Sequence, residues 1–339
     1  MPSNEPRAGR EVDMGGFTRR SFLSSGAMAA AVGAAASAGV PRAASAGQPG
    51  RFATLVDLTR CDGCLQEAAP RCVEACRKKN SPRYPEPKEP IEDLWPQKTH
   101  DDWSKKRDVI DTLTPYNWIT VQRVRVEDQE LFIPRRCMHC DNPPCANLCP
   151  FGALNKFEDG SVVINPGMCL GGAKCKAVCP WQIPQRQSGV GLYLKLQPMP
   201  AGGGVMYKCD LCHDLIRKGG RPACVEACQA RKGREAPMAF GPREEVRAKA
   251  HELAARMGGF IYGEKENGGT ATLYVSKVPF EKINQAILSS KKGPHMGPAQ
   301  ARLREINRWA KGFLWGPLAA ALGALGLVML RRGRGKGEG

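Results

Sequence analysis

Cys137-Met138-His139-Cys140-Asp141-Asn142-Pro143-Pro144-Cys145-Ala146-Asn147-Leu148-Cys149-Pro150 sets four cysteines within fourteen residues and closes on a proline. Upstream lies Cys61-x2-Cys64-x7-Cys72-x3-Cys76. Downstream come Cys169-x5-Cys175-x3-Cys179-Pro180 and Cys209-x2-Cys212-x11-Cys224-x3-Cys228. All 15 cysteines fall into these four sets, three of four and one of three, so none is left over. A cubane iron–sulfur cluster needs four converging thiolates. A short Cys-x2-Cys loop wraps several corners, while the last cysteine, three residues on and opening a helix, faces away toward a neighbouring cluster. A proline after it sets the exit of the chain.

Two other chemistries compete for such cysteines. Disulfides suit an exported chain, but an odd count in Cys-x2-Cys loops is a poor framework. Zinc knuckles also use Cys-x2-Cys, yet do not need Cys-x3-Cys-Pro twice. Iron–sulfur ligation is the reading that absorbs every set.

The third set is irregular. A regular loop places its second ligand three residues after Cys169, and that position is Gly172, which has no ligand atom. The cluster held by Cys169 and Cys175 thus has one uncovered corner, and the simplest expectation is a [3Fe–4S] centre. The alternatives are a [4Fe–4S] cluster with water or hydroxide on the open iron, or an empty site.

Phe151-Gly152-Ala153-Leu154-Asn155-Lys156 reads as a short helix, and Ser161-Val162-Val163-Ile164-Asn165 as a strand beyond Asp159-Gly160. With the cysteine loops they form the repeat unit of a bacterial ferredoxin. Cys137 to Cys145 and Lys208-Cys209-Asp210-Leu211-Cys212 make the chain, from about Phe52 onward, resemble the four-cluster ferredoxin-like subunits of respiratory complexes. Those subunits serve formate dehydrogenases, nitrate and polysulfide reductases and periplasmic-facing nickel–iron hydrogenases. Phe240-Gly241-Pro242-Arg243-Glu244-Glu245, Tyr262-Gly263-Glu264-Lys265-Glu266-Asn267-Gly268-Gly269-Thr270 and Val278-Pro279 are most similar to the HybA-type hydrogenase subunits. Trp309 to Ala319 is similar to the formate dehydrogenase beta subunit as well.

The resemblance implies a ligand pairing. Cys61, Cys64, Cys72 and Cys228 hold one cluster, and Cys209, Cys212, Cys224 and Cys76 its neighbour. Cys137, Cys140, Cys145 and Cys179 hold a third, and Cys169, Cys175 and Cys149 the incomplete fourth. It further implies three [4Fe–4S] clusters and one [3Fe–4S] or incompletely ligated [4Fe–4S] cluster. Three departures stand out: an enlarged first loop from Leu65 to Arg71, Gln229 in place of proline after Cys228, and Gly172.

At the N-terminus, Thr18-Arg19-Arg20-Ser21-Phe22-Leu23, an Ala/Gly-rich stretch from Gly26 to Val40, and Ala44-Ser45-Ala46 read in order as a twin-arginine export signal. At the other end, Phe313 to Leu330 is uncharged for 18 residues. At ~1.5 Å per residue it just spans a membrane core of roughly 30 Å. Arg331, Arg332, Arg334 and Lys336 beyond it orient the tail to the cytoplasm and the body to the periplasmic side. The formal net charge is +17 over 339 residues, about half of which anionic clusters would offset. A basic balance can signal nucleic acid, but no recognition module is present.

The expected fold is α+β: two pseudo-twofold ferredoxin-like lobes with insertions, a small α/β cap and one C-terminal transmembrane helix. The expected organisation is a signal peptide over 1–46, a four-cluster domain over 47–245 with an insertion at 77–136, and a cap over 246–290. A linker over 291–312, an anchor over 313–330 and a basic tail over 331–339 follow. Within these, 118–126 reads as a strand, 244–257 as a helix and 270–275 as a strand. His139 and His213, inside cysteine loops, are expected to tune hydrogen bonding or pack rather than ligate iron.

No phosphate-binding loop and no nucleophile–base pair is found. The chain therefore reads as a non-catalytic conduit between a catalytic hydrogenase or molybdopterin subunit and a quinone-reactive membrane subunit. The reading of another class is a zinc-stapled, membrane-anchored scaffold.

Overall fold

The computed structural model describes residues 51–94, 98–196, 202–230, 235–290 and 293–301. The export signal and the membrane anchor expected from the sequence lie outside the described residues.

In chain order the body runs β1 (Phe52–Asp57), α1 (Arg71–Asn80), β2 (Thr120–Val126), β3 (Gln129–Arg135), α2 (Pro144–Asn147), β4 (Leu154–Lys156) and β5 (Val162–Ile164). It continues with α3 (Lys174–Ala177), β6 (Gln185–Gln187), β7 (Val205–Tyr207), α4 (His213–Ile216), α5 (Ala223–Gln229) and β8 (Met238–Pro242). It ends with α6 (Arg243–Met257), β9 (Phe260–Tyr262), β10 (Thr272–Ser276) and α7 (Phe280–Ser290). The content is mixed α and β, as ferredoxin-like domains require. Among the described residues no helix is long and apolar enough to cross a membrane.

One four-stranded sheet, ordered β8-β1-β10-β9, ties the ends of the body together. β1 is parallel to β10, with Leu55 opposite Leu273, and antiparallel to β8, with Leu55 opposite Ala239. The segment expected to form a cap thus supplies one neighbour of the first strand, β10, while β8 comes from just before it. One face of the sheet is covered by α6, whose Val246, Ala250, Leu253 and Ala254 recur at helical spacing. They meet Ala53, Leu55, Ala271, Leu273 and Val275 in a core of their own. α6 stops at Gly258, which takes the left-handed conformation (φ 62°) that closes a helix without a Cβ penalty. The opposite side of β1, through Val56, joins the larger core that contains the cysteines.

Three two-stranded hairpins complete the body: β2–β3, β4–β5 and β6–β7. β2–β3 lies inside the segment expected as an insertion, and α7 packs on it through Phe280, Ile283 and Ile287. The stretch expected as a helix at 151–156 is instead a strand from Leu154, pairing Leu154 with Ile164 and Lys156 with Val162. Too few residues separate Cys149 from the turn at Asp159-Gly160 for a helix to repay its nucleation. Gly160 (φ 91°) folds the chain straight back.

Candidate iron–sulfur sites

α1 and α5 are built alike. Each follows a proline (Pro70, Pro222) and carries the same Cys-Val-Glu-Ala-Cys run. Spacing of four residues puts Cys72 with Cys76, and Cys224 with Cys228, on one helix face. Val73 and Val225, both fully buried, occupy the adjoining face, and the two helices pack on each other. The shared packing carries each helix's second cysteine across to the other helix's loop. Arg83 of the α1 end reinforces the junction by pairing with Asp210 at 2.8 Å.

The thiols consequently sort by proximity and not by sequence. Burial pushes Cys61 up to about 12, reinforced by the neighbouring charges of Cys228 and Cys64. Burial likewise raises Cys72, with Cys224, Cys61, Cys228 and Cys64 adding to it. Cys76 is raised by burial and then by Cys209, Cys224 and Cys212, so it sits with the fourth set. In the other half, burial raises Cys140 to about 12, Cys137 and Cys179 contributing. Cys145 is raised by burial and by Cys137, Cys179 and Cys140. Cys175 is raised by burial to about 12, with Cys169 and Cys149 as its thiol neighbours. Cys228 thus lies near Cys61 and Cys72, Cys76 near Cys209, Cys224 and Cys212, and Cys72 near Cys224 as well.

α2 and α3 are single turns in contact with each other, and each is followed by a Cys-Pro exit. Beside them lie two cavities. One is lined by Cys137, Cys140, Cys145 and Cys179, with Pro143, Pro180 and Lys208 on its wall. The other is lined by Cys149, Cys169 and Cys175, with Gly171, Gly172 and Met206. A Cβ built on Gly172 meets nothing within 4 Å, so the corner without a thiol is open space.

The loops are shaped to receive an anion. Among the described residues, five of the nine non-glycine residues with positive φ (Cys64, His139, Ala173, Leu211 and Cys212) lie in cysteine loops, where backbone strain is held for function. The turns aim N–H groups at sulfur: His139 N donates to Cys137 Sγ at 3.5 Å, Leu211 N to Cys209 Sγ at 3.4 Å, and Met206 N to Cys169 Sγ at 3.4 Å. Asn80 Nδ2 donates to Cys76 Sγ at 3.3 Å.

Among the described residues the buried cations include Arg136 (1% exposed), beside Cys209, and Lys208 (5%), beside Cys137 and Cys145. Burial opposes the charge of Lys208, but Cys137, Cys145, Cys209 and Asp210 outweigh it and hold its pKa up. Nε and Nη2 of Arg136 are buried without a partner, beside Cys209 and Cys224. An orphaned guanidinium among thiols is costly alone and is satisfied by an anionic metal–sulfide group. The donor set therefore fits iron–sulfur clusters. Among the described residues no three His, Cys, Asp or Glu side chains are spaced to hold a single metal ion, and no disulfide joins any of the cysteines.

Residues 60–153 and 129–235 each match the 4Fe-4S dicluster domain family. The two matched stretches overlap at 129–153 and together span 60–235. The chain is 29% identical over 313 residues to the hydrogenase-2 operon protein HybA of Escherichia coli O157:H7, covering 79% of this chain and 83% of that one. It is 33% identical over 272 residues to a protein of Nitratidesulfovibrio vulgaris, covering 77% of this chain but only 65% of that one, just under two thirds. It is also 40% identical over 119 residues to YnfG of Escherichia coli K12, a probable anaerobic dimethyl sulfoxide reductase subunit, covering 35% of this chain and 49% of that one. The HybA and dimethyl sulfoxide reductase relatives point to an iron–sulfur electron-transfer subunit of respiratory oxidoreductases.

Of the two loop histidines, His139 is fully buried and accepts from Val162 N through Nδ1 at 3.0 Å. Burial, then Lys208, Arg136 and Lys156, hold it neutral, its pKa well below the usual value. His213 instead joins Asp159 at 2.6 Å and stacks near Phe157, ring centres 4.2 Å apart. Sequence reasoning passed over Arg136. The signal was there: a basic residue precedes the first cysteine of both Arg136-Cys137-x2-Cys140 and Lys208-Cys209-x2-Cys212.

Proposed function

We propose that this chain is the non-catalytic electron conduit of a periplasm-facing respiratory complex. The observation that carries the reading is that Cys228 lies near Cys61 and Cys72 while Cys76 lies near Cys209, Cys212 and Cys224, the placement that ligand exchange between two adjacent clusters would need. When bound, the clusters supply one-electron transfer. The chain's residues fix their spacing, shield them from water and bias their potentials through N–H and cationic groups.

On this reading, Cys61, Cys64, Cys72 and Cys228 hold one [4Fe–4S] cluster and Cys209, Cys212, Cys224 and Cys76 a second. Cys137, Cys140, Cys145 and Cys179 hold a third. Cys149, Cys169 and Cys175 hold a [3Fe–4S] centre, the open corner at Gly172 supporting three ligands over four. The domain divisions given above, twin-arginine export and a single anchor over 313–330 belong to the same proposal.

The partner on the electron-donating side is a nickel–iron hydrogenase subunit, and the acceptor is a quinone-reactive membrane subunit. Similarity to HybA over 79% of the chain favours that host. The shorter match to the dimethyl sulfoxide reductase subunits, higher in identity at 40% over 119 residues for YnfG, supports a molybdopterin oxidoreductase as the second reading. Purification from membranes under mild detergent tests both, with metal analysis of whatever co-purifies. Nickel in the co-purifying subunit supports the first and molybdenum or tungsten the second. A colourless preparation without inorganic sulfide refutes the conduit itself.

A further inference from the structure

The two halves of the molecule meet at Cys137 and Cys209, and there each half lends a cation to the other. Arg136, which immediately precedes Cys137, extends Nη1 to Cys209 Sγ at 3.7 Å, and its charge also bears on Cys224. Lys208, which immediately precedes Cys209, lines the cavity of Cys137, Cys140, Cys145 and Cys179. It is pinned there by donating to Val162 O and to Cys209 O.

His139 completes the junction. Its backbone N–H points at Cys137 Sγ (3.5 Å) while its ring Nε2 lies 3.6 Å from Cys209 Sγ. Because Nδ1 accepts from Val162 N, the neutral ring carries its proton on Nε2, which donates to Cys209. Cys209 thus receives Leu211 N, His139 Nε2 and Arg136 Nη1, all from buried groups.

We infer that Arg136 and His139 are potential-setting residues for the cluster held by Cys209, Cys212, Cys224 and Cys76. They raise its reduction potential so that the electron crossing between the halves is held at this junction. A fixed positive charge and N–H donors on a ligand sulfur both favour the reduced, more negative cluster, and burial leaves that effect unscreened by water. The inference rests on the cluster reading above and adds to it which residues tune which cluster.

The test is a redox titration of the purified holoprotein followed by EPR, with iron and sulfide measured on every sample. In Arg136→Met, one [4Fe–4S] component should move to lower potential. Its reduced-to-oxidised ratio at fixed potential should fall at least tenfold, about 59 mV for a one-electron couple. The component assigned to Cys61, Cys64, Cys72 and Cys228 should stay in place, and Arg136→Lys should restore most of the shift. His139→Leu should move the same component in the same direction by less, since it removes a donor but no charge. Where Arg136→Met does not load iron, His139→Leu decides by the direction of the shift of that one component. Superimposable titrations in a variant with wild-type iron overturn the inference and leave the cluster reading intact. Absence of sulfide from the wild-type protein overturns the cluster reading itself.

Discussion

Gly172→Cys is the substitution on which the cofactor assignment turns. Gly172 lines the cavity with Cys149, Cys169 and Cys175, and a Cβ there meets no atom within 4 Å. Its φ lies outside the left-handed range, so an ordinary residue fits the backbone unstrained. Replacing glycine at such a site stabilises by about 0.4–1 kcal/mol through the unfolded chain. The variant should therefore melt no lower than the parent.

Gly171, one residue earlier, is the contrasting control. It has φ 69°, and a Cβ would approach the Gly204 carbonyl oxygen to 2.5 Å. Gly171→Ala should cost at least roughly 1–2 kcal/mol from the left-handed backbone alone. The assay is EPR of the oxidised protein with iron analysis and a thermal melt. The parent should show the near-isotropic signal of a three-iron centre. Gly172→Cys should lose that signal and gain one iron per chain, with the other clusters unchanged. Persistence of the signal at full intensity in a folded, iron-loaded variant would refute the placement of the open corner.

Other expectations follow from the same geometry. Cys228→Ser should remove the cluster of Cys61, Cys64 and Cys72 and spare that of Cys209, Cys212 and Cys224, which iron analysis and EPR will separate. Arg243→Met breaks a two-bond ion pair with Asp141 that ties α6 to the second cysteine loop, both side chains being mostly buried. The loss should be roughly 1.5–3 kcal/mol in a denaturant melt, with cluster spectra unaltered. Burial acts to raise the Asp159 pKa, but the Ser161 hydroxyl and backbone N–H and the His213 ring outweigh it and hold it low. Its stabilisation is therefore present above the unfolded value of about 4 and is lost as pH falls through the lower folded value. Asp159→Asn should be less stable than the parent at neutral pH, and that difference should vanish in acid; a difference that stays constant contradicts the assignment.

The cysteine groups were legible because ligand chemistry prescribes spacing. Which sets share ligands was not legible in the spacing and came from the family resemblance. β1 was not legible. Phe52–Asp57 is buried at five of six positions and shows no alternation, since both of its edges are paired and both faces covered. Its partners lie some two hundred residues away, and no local pattern announces them. The helix expected at 151–156 failed for the opposite reason: a six-residue window holds too little periodicity to separate helix from strand, and the turn at Gly160 decided it. Arg136 was missed because a charged residue beside a metal-binding loop reads as solvated surface until its burial is seen.

The placement of β1 also bears on biogenesis. Its hydrogen-bonding edges are both supplied by late segments, Met238–Pro242 and Thr272–Ser276. A nascent chain released before Ser276 would present an apolar strand with one naked edge, a template for aggregation. The sheet therefore works as a check on synthesis: only a polypeptide made through Ser276 can cover both edges of β1, and products that stop short of it should be recovered in inclusion bodies or lost to proteolysis.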